Sequence, residues 1–277
     1  MPLDAFALAL GSAFLHAFWN LILGRERDPE AATAIALCVA IVVFAPIAAV
    51  RWDADAGVWP FIAVTSMLQL TYFALLATAY RHADVSVVYP IARGLAPVLV
   101  LVVGVTVLGV AAGAAQALGV CLVALGVLLV RGLGPGRAAG GTGAAFGVAV
   151  ASCIATYTLV DKYGIEHADP VVYQELSMVP ATVGFVGFLL VVRRAGPRLR
   201  AAARPLPALA GILSFTAYAL VLAALLRGPA AAVAAVRETS VLIAAFLAAP
   251  LLGEQVGRAR LGGAALVVGG VALIALG

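Results

Sequence analysis

Long apolar runs divided by short polar breaks fill the chain. Ten runs are each long enough for a helix to cross the hydrocarbon of a bilayer. They lie at approximately 3–23, 31–50, 57–80, 85–107, 113–130, 141–160, 170–192, 206–226, 229–251 and 260–276. They lack two-residue alternation and are too long for the strands of a barrel. Asp28-Pro29 and Asp169-Pro170 each pair an N-cap side chain with a proline suited to the first helical turn. The stretches 51–57, 131–141 and 193–205 read as loops. Leu3 to Leu23 has no basic segment before it, its first charge being Asp4, and reads as a first helix rather than a cleaved signal.

The runs also repeat. Gly119-Val-Cys-Leu-Val-Ala-Leu-Gly126 matches Gly263-Ala-Ala-Leu-Val-Val-Gly-Gly270. At the same offset Leu108-Gly109 falls on Leu252-Gly253, and Arg93 on Arg237. Thr71-Tyr-Phe-Ala-Leu-Leu resembles Thr216-Ala-Tyr-Ala-Leu-Val, and Asp28-Pro29 aligns with Asp169-Pro170. The order of these matches predicts two five-helix halves, 1–133 and 141–277, joined by a linker at 134–140. Five is odd, so the second half enters the membrane in the opposite sense. The expected fold is therefore an all-α integral membrane protein with ten transmembrane helices in a 5+5 inverted repeat. Many secondary transporters have that architecture, with the substrate near the midplane between the halves.

Composition narrows the class further. Hydrophobic residues make up 64% of the 277 and charged residues only 11%, against about 25% charged in soluble domains. The net charge of +4 does not signal nucleic acid, because most arginines occupy short loops, where they act as topology signals. Cys38, Cys121 and Cys153 lie singly in apolar runs and form neither a metal spacing nor a disulfide framework. Gly134-Pro-Gly-Arg-Ala-Ala-Gly140 follows no strand and reads as a linker rather than a phosphate loop. No motif for a metal, a cofactor or an enzyme's nucleophile is present, and the chain is read as not an enzyme.

Several residues resemble a known family. His16-Ala-Phe-Trp-Asn20, Val88-Tyr-Pro-Ile-Ala-Arg-Gly94, Val236-Arg-Glu-Thr-Ser240 and the Leu252-Gly-Glu254 turn, on a ten-helix duplicated chain, resemble the EamA-type members of the drug/metabolite transporter superfamily. The first half departs from that pattern, with Val110 where the family has the glutamate of its Leu-Gly-Glu turn. The resemblance implies transport of a small molecule, with an amino acid or related carboxylate leading and a phosphorylated or phosphonate compound next. It also implies a bacterial inner membrane. Export or exchange is the expected direction. A non-transporting scaffold or an intramembrane enzyme is the competing class, and a homodimer is left open.

The polar residues inside the runs are the candidate chemistry. A charge at a helix centre costs about 2.5–3.5 kcal/mol on insertion scales, so it faces the interior and has a partner or a task. Arg93 and Arg237 lie near the middle of the fourth and ninth runs, suited to a carboxylate or phosphate. Pro90 and Pro97 flank Arg93 and predict a kink, with Tyr89 on the same face. Ser12, His16, Trp19 and Asn20 form one polar stripe on the first helix. Thr156, Tyr157 and Thr158 stand near the end of the sixth run, with Asp161 four residues after Tyr157, and Tyr72 and Tyr218 stand in the matching third and eighth runs, where such aromatics either line a cavity or pack between helices. The substrate-binding set is thus Arg93, Arg237, Tyr89, Trp19, His16, Asn20 and Tyr157. Glu175 and Glu238 are candidates either to hold the arginines or to carry a coupling proton. Glu238 is a poor partner for its neighbour Arg237, about 100° away on a helix, and is better placed to reach another helix.

Orientation follows from loop charges. The side bearing the termini has Arg51, Lys162 and Arg227, and the opposite side has twelve arginines, five of them between 193 and 204. The positive-inside rule places the termini outside, whereas the resemblance implies termini in the cytoplasm. The charge bias prevails in this reading, because the loops are short and seven against three remain without the 193–204 loop. Alkaline phosphatase fused after Gly277 is expected to be active, and a fluorescent cytoplasmic reporter there would refute it.

Overall fold

The computed structural model describes residues 1–82, 85–131, 141–252 and 257–276. Among these, the named elements are twelve helices: α1 Leu3–Gly24, α2 Pro29–Val50, α3 Val58–His82, α4 Val85–Thr106, α5 Ala114–Arg131 and α6 Gly141–Gly164 come first. They are followed by α7 Pro170–Val191, α8 Gly196–Ala202, α9 Pro205–Arg227, α10 Ala230–Arg237, α11 Thr239–Leu252 and α12 Arg258–Leu276. Nine described segments are long and apolar enough to cross a membrane, and Ala114–Val130 is a shorter apolar helix. The polarity gradient is inverted relative to a soluble protein. Val42 and Val183 are 71% and 64% exposed, while Arg93 and Glu238 are 6% and 1% exposed. Such a surface is stable only against lipid. The chain is a multi-pass membrane protein.

Three details differ from the expected ten uninterrupted helices. The 193–205 loop contains the short helix α8. The ninth run is two helices, α10 and α11, meeting at Glu238. There the backbone tightens to three-residue bonds, Glu238 N–H to Ala235 O at 3.0 Å and Val241 N–H to Glu238 O at 3.0 Å. By contrast α4 stays one helical element through Pro90 and Pro97. The 134–140 linker and the Gly253-Glu254 part of the expected turn lie outside the described residues.

Both Asp-Pro signals act as expected. Asp28 accepts from Ala31 N–H at 3.1 Å and Asp169 from Val171 N–H at 2.8 Å, with proline opening α2 and α7. Each capping aspartate also takes an arginine that follows the other helix. Arg198, beyond α7, donates to Asp28 at 2.6 and 2.8 Å and to Glu30 at 2.9 Å. Arg51, beyond α2, donates to Asp169 at 2.6 Å. The start of each helix thus lies beside the end of the other, so α2 and α7 are antiparallel. The hydrogen bond from Arg198 holds the Asp28 carboxyl below its ordinary range.

Helix contacts exchange in the same way. α1 packs on α9 as α6 packs on α3, and α2 packs on α9 as α7 packs on α3. α4 packs on α6, and α1 on α10 and α11. α2 with α7, and α5 with α12, are their own counterparts.

The α5–α12 contact rests on the repeated glycines. A Cβ on Gly119 would stand 2.7 Å from Gly270 O, and one on Gly126 2.6 Å from Gly263 O. A Cβ on Gly270 would likewise meet Gly119 O at 2.6 Å. These obstacles are backbone, which no rotamer change relieves, so small residues are required for the close approach. Gly269, one position along α12, has open space around its Cβ. Gly270→Ala is therefore expected to cost about 1–3 kcal/mol through overpacking, and Gly269→Ala to be neutral. Thermal unfolding of the two variants in one detergent checks the difference, and equal transitions would refute it.

Candidate functional site

Three helices carry the charges at the centre. Arg93 is nine residues into α4, and His16 nine from the far end of α1. At 1.5 Å per residue both lie about 12 Å from the same face. Arg237 ends α10, about 10 Å from the opposite face. Glu238, in the break between α10 and α11, lies between the two arginines. Its Oε1 is 3.3 Å from Arg93 Nη1 and 3.7 Å from Arg237 Nη2. It therefore reaches across to another helix, as a helical projection suggests. It also stays near its own neighbour, because the helix is broken there and the 100° separation no longer applies.

The rest of the shell is aromatic or orphaned. Arg93 donates to His16 Nε2, so that nitrogen is an acceptor and the imidazole carries its proton on Nδ1. The Arg93 guanidinium also lies 5.4 Å from the centre of the Tyr89 ring, within cation–π range. His16 meets Trp19 edge-on at 4.8 Å. Tyr157 lies within electrostatic reach of both arginines and meets Tyr218 edge-on at 6.1 Å. Arg237 Nε, Glu238 Oε2, Trp19 Nε1, Ser12 Oγ and Ser240 Oγ are buried without a hydrogen-bond partner. Leaving such a group unsatisfied costs about 1–3 kcal/mol, so Arg237 Nε and Glu238 Oε2, within the charge cluster itself, are where a polar guest gains most.

Of the sequence-derived candidates, the structure brings together Arg93, Arg237, Glu238, His16, Trp19, Tyr89 and Tyr157. Two stand apart. Asn20 donates to the His16 carbonyl at 2.7 Å, a bond within its own helix. Glu175 is buried in α7 with Oε2 unpartnered and forms no salt bridge with either arginine among the described residues.

One buried cluster was not assembled by sequence reasoning. Asp161 is fully buried near the end of α6. Its carboxyl is hydrogen-bonded with Thr65 of α3 at 2.6 Å and accepts from Tyr173 of α7 at 2.8 Å and from Tyr218 of α9. The sixth apolar run ends at residue 160, which leaves Asp161 at its boundary, whereas α6 continues to Gly164. An acid inside the span was the available signal.

Comparison with known sequences is decisive for the family. The sequence model of the EamA-like transporter family matches residues 4–132 and again 141–276. The chain belongs to the EamA-like transporter family. The two matched stretches make this EamA-like chain a two-repeat protein of the drug/metabolite transporter superfamily. No curated protein matches it. A solved crystal structure superimposes with a TM-score of 0.77 over 98% of this chain and 98% of that one, at 17% identity. At that identity the likeness concerns the fold alone.

The charge cluster generates a stability prediction. Glu238→Gln leaves two buried arginines without their shared anion and is expected to cost about 3–5 kcal/mol. Adding Arg93→Gln should recover part of that loss. Thermal unfolding of the single and double variants tests it, and a double variant no more stable than the single would refute the pairing.

Proposed function

We propose that this chain is a secondary transporter of a small polar metabolite, an exporter or exchanger working by alternating access. In this reading ten crossings form two inverted halves, 1–133 and 141–277, in a bacterial inner membrane. The observation that carries it is the buried Arg93–Glu238–Arg237 cluster, with unsatisfied polar atoms on both sides of its charge. Two guanidiniums against one carboxylate leave one net positive charge among these three groups. A single carboxylate of a metabolite would neutralise it, with Arg237 as the primary contact because its Nε is unspent. The open Glu238 Oε2 suits a donor on the same guest, such as an ammonium. Tyr89, His16, Trp19 and Tyr157 would wall the site, and an amino acid or related carboxylate is the favoured class. A phosphorylated or phosphonate compound is the second reading. The glutamate between the arginines disfavours its extra negative charge.

The faces of the protein support movement around this site. On the face bearing the termini, Asp55 N–H donates to His167 O at 3.0 Å and Asp169 N–H to Asp53 O at 2.8 Å. His167 and Asp55 add a side-chain contact at 3.1 Å, and Arg51 holds Asp169. These contacts join the two halves. On the other face a cleft of about 500 Å³ lies between the ends of α1, α9 and α11, with Arg25, Glu26 and Arg204 on its wall. Alternating access requires such cross-half contacts to break in turn.

Flux measurements test the reading. Reconstituted vesicles are expected to exchange members of a panel of labelled amino acids and carboxylates. Arg237→Gln should weaken binding by about 10- to 100-fold, the loss of one charge-assisted contact, while still inserting. A panel including phosphate esters that shows no flux at all would overturn transport. Undiminished binding by Arg237→Gln would remove that residue from the site.

A further inference from the structure

The Asp161 cluster lies outside the arginine site, and its hydrogen inventory is informative. Three oxygens form a closed triangle: Asp161 Oδ1 to Thr65 Oγ1 at 2.6 Å, Asp161 Oδ1 to Tyr173 OH at 2.8 Å, and Thr65 Oγ1 to Tyr173 OH at 3.0 Å. Each hydroxyl has one proton to donate. With Asp161 ionised, the two hydroxyls therefore supply hydrogens for only two of the three contacts. A proton on Oδ1 completes the ring: Asp161 donates to Thr65, Thr65 to Tyr173, and Tyr173 back to Asp161. Oδ2 remains free to accept from Tyr218.

Burial favours the same state, and the positive charge of Arg237 opposes it. Asp161 and Thr65 are fully buried, and no salt bridge reaches Asp161 among the described residues. A buried carboxylate without a bonded cation is expensive, and neutralisation removes that cost. On its own helix, Lys162 donates instead to the Leu225 carbonyl, and Tyr157 lies one turn away. From the packed elements, α7 contributes Tyr173, α9 Tyr218, α10 Arg237 and α3 Thr65. Arg237 is within electrostatic reach of Asp161.

We propose that Asp161 is a proton-binding site whose occupancy is coupled to the central site. This rests on the transport reading only for the coupling, not for the proton site. Thr65, Asp161 and Tyr173 stand on α3, α6 and α7, where α3 packs on both of the others, whereas Tyr218 stands on α9, which packs mainly on α1 and α2, so motion between these two groups of helices breaks the Tyr218 contact. The carboxyl then takes a proton from water on the open face and returns it to water on the other. Protonation removes a negative charge within reach of Arg237, which strengthens the pull of that guanidinium on an anionic group. Linkage makes the effect reciprocal, so proton and carboxylate each favour binding of the other.

Infrared difference spectroscopy of the full chain in liposomes reads the proton itself. A protonated-carboxyl band that titrates with pH is expected, lost in Asp161→Asn and shifted in its titration by Tyr218→Phe. The second variant keeps the test valid if the first does not fold. The same band in Asp161→Asn, or an unshifted titration in Tyr218→Phe, overturns the proton site. For coupling, a pH gradient should drive accumulation of a labelled amino-acid mixture in wild-type vesicles, and Asp161→Asn should abolish it. Accumulation that persists in a folded Asp161→Asn overturns the coupling. A band assigned to Asp161 together with no flux of any labelled solute would uphold the proton site and refute the transport reading instead.

Discussion

The compensation of charge in a medium without water governs this protein. Hydrocarbon solvates neither a guanidinium nor a carboxylate, so every buried charge must find its counter-charge or its hydrogen bonds within the protein. Glu238 is the pivot of that requirement. It meets Arg93 of the first half and Arg237 of the second, and it occupies the break between α10 and α11. The backbone interruption and the charge cluster are one feature. A carboxylate held at a helix break can address two helices, which one on a regular helix cannot.

Several of the polar contacts bridge the two repeats. Arg93–Glu238, Thr65–Asp161, Arg51–Asp169 and Arg198–Asp28 each join a first-half residue to a second-half residue. The self-paired α5–α12 contact is different in kind, being built from glycines whose backbones touch. Packing of that sort has no polar group to exchange and resists change. The polar contacts have alternative partners in water or substrate, so they are the ones suited to breaking and reforming.

The sequence by itself determined the class, the duplication and most of the central residues. Run length and the scarcity of charge follow directly from the thickness and dielectric of the bilayer, and a repeated Asp-Pro or Gly-rich stretch is visible without coordinates. Arg93 and Arg237 were legible because a charge inside an apolar run violates the local pattern. Tertiary structure alone decided who meets whom. Glu175 and Glu238 are both acids in apolar runs, yet only Glu238 reaches the arginines, since partner choice depends on helix rotation and crossing. The break at Glu238 has no proline to announce it, while α4 continues through two. Asp161 acquired its meaning only when Thr65 and Tyr173, 96 and 12 residues away in sequence, closed a ring around it. Periodicity records which face of a helix is polar. It does not record what stands opposite, and in a membrane interior that opposing group determines the chemistry.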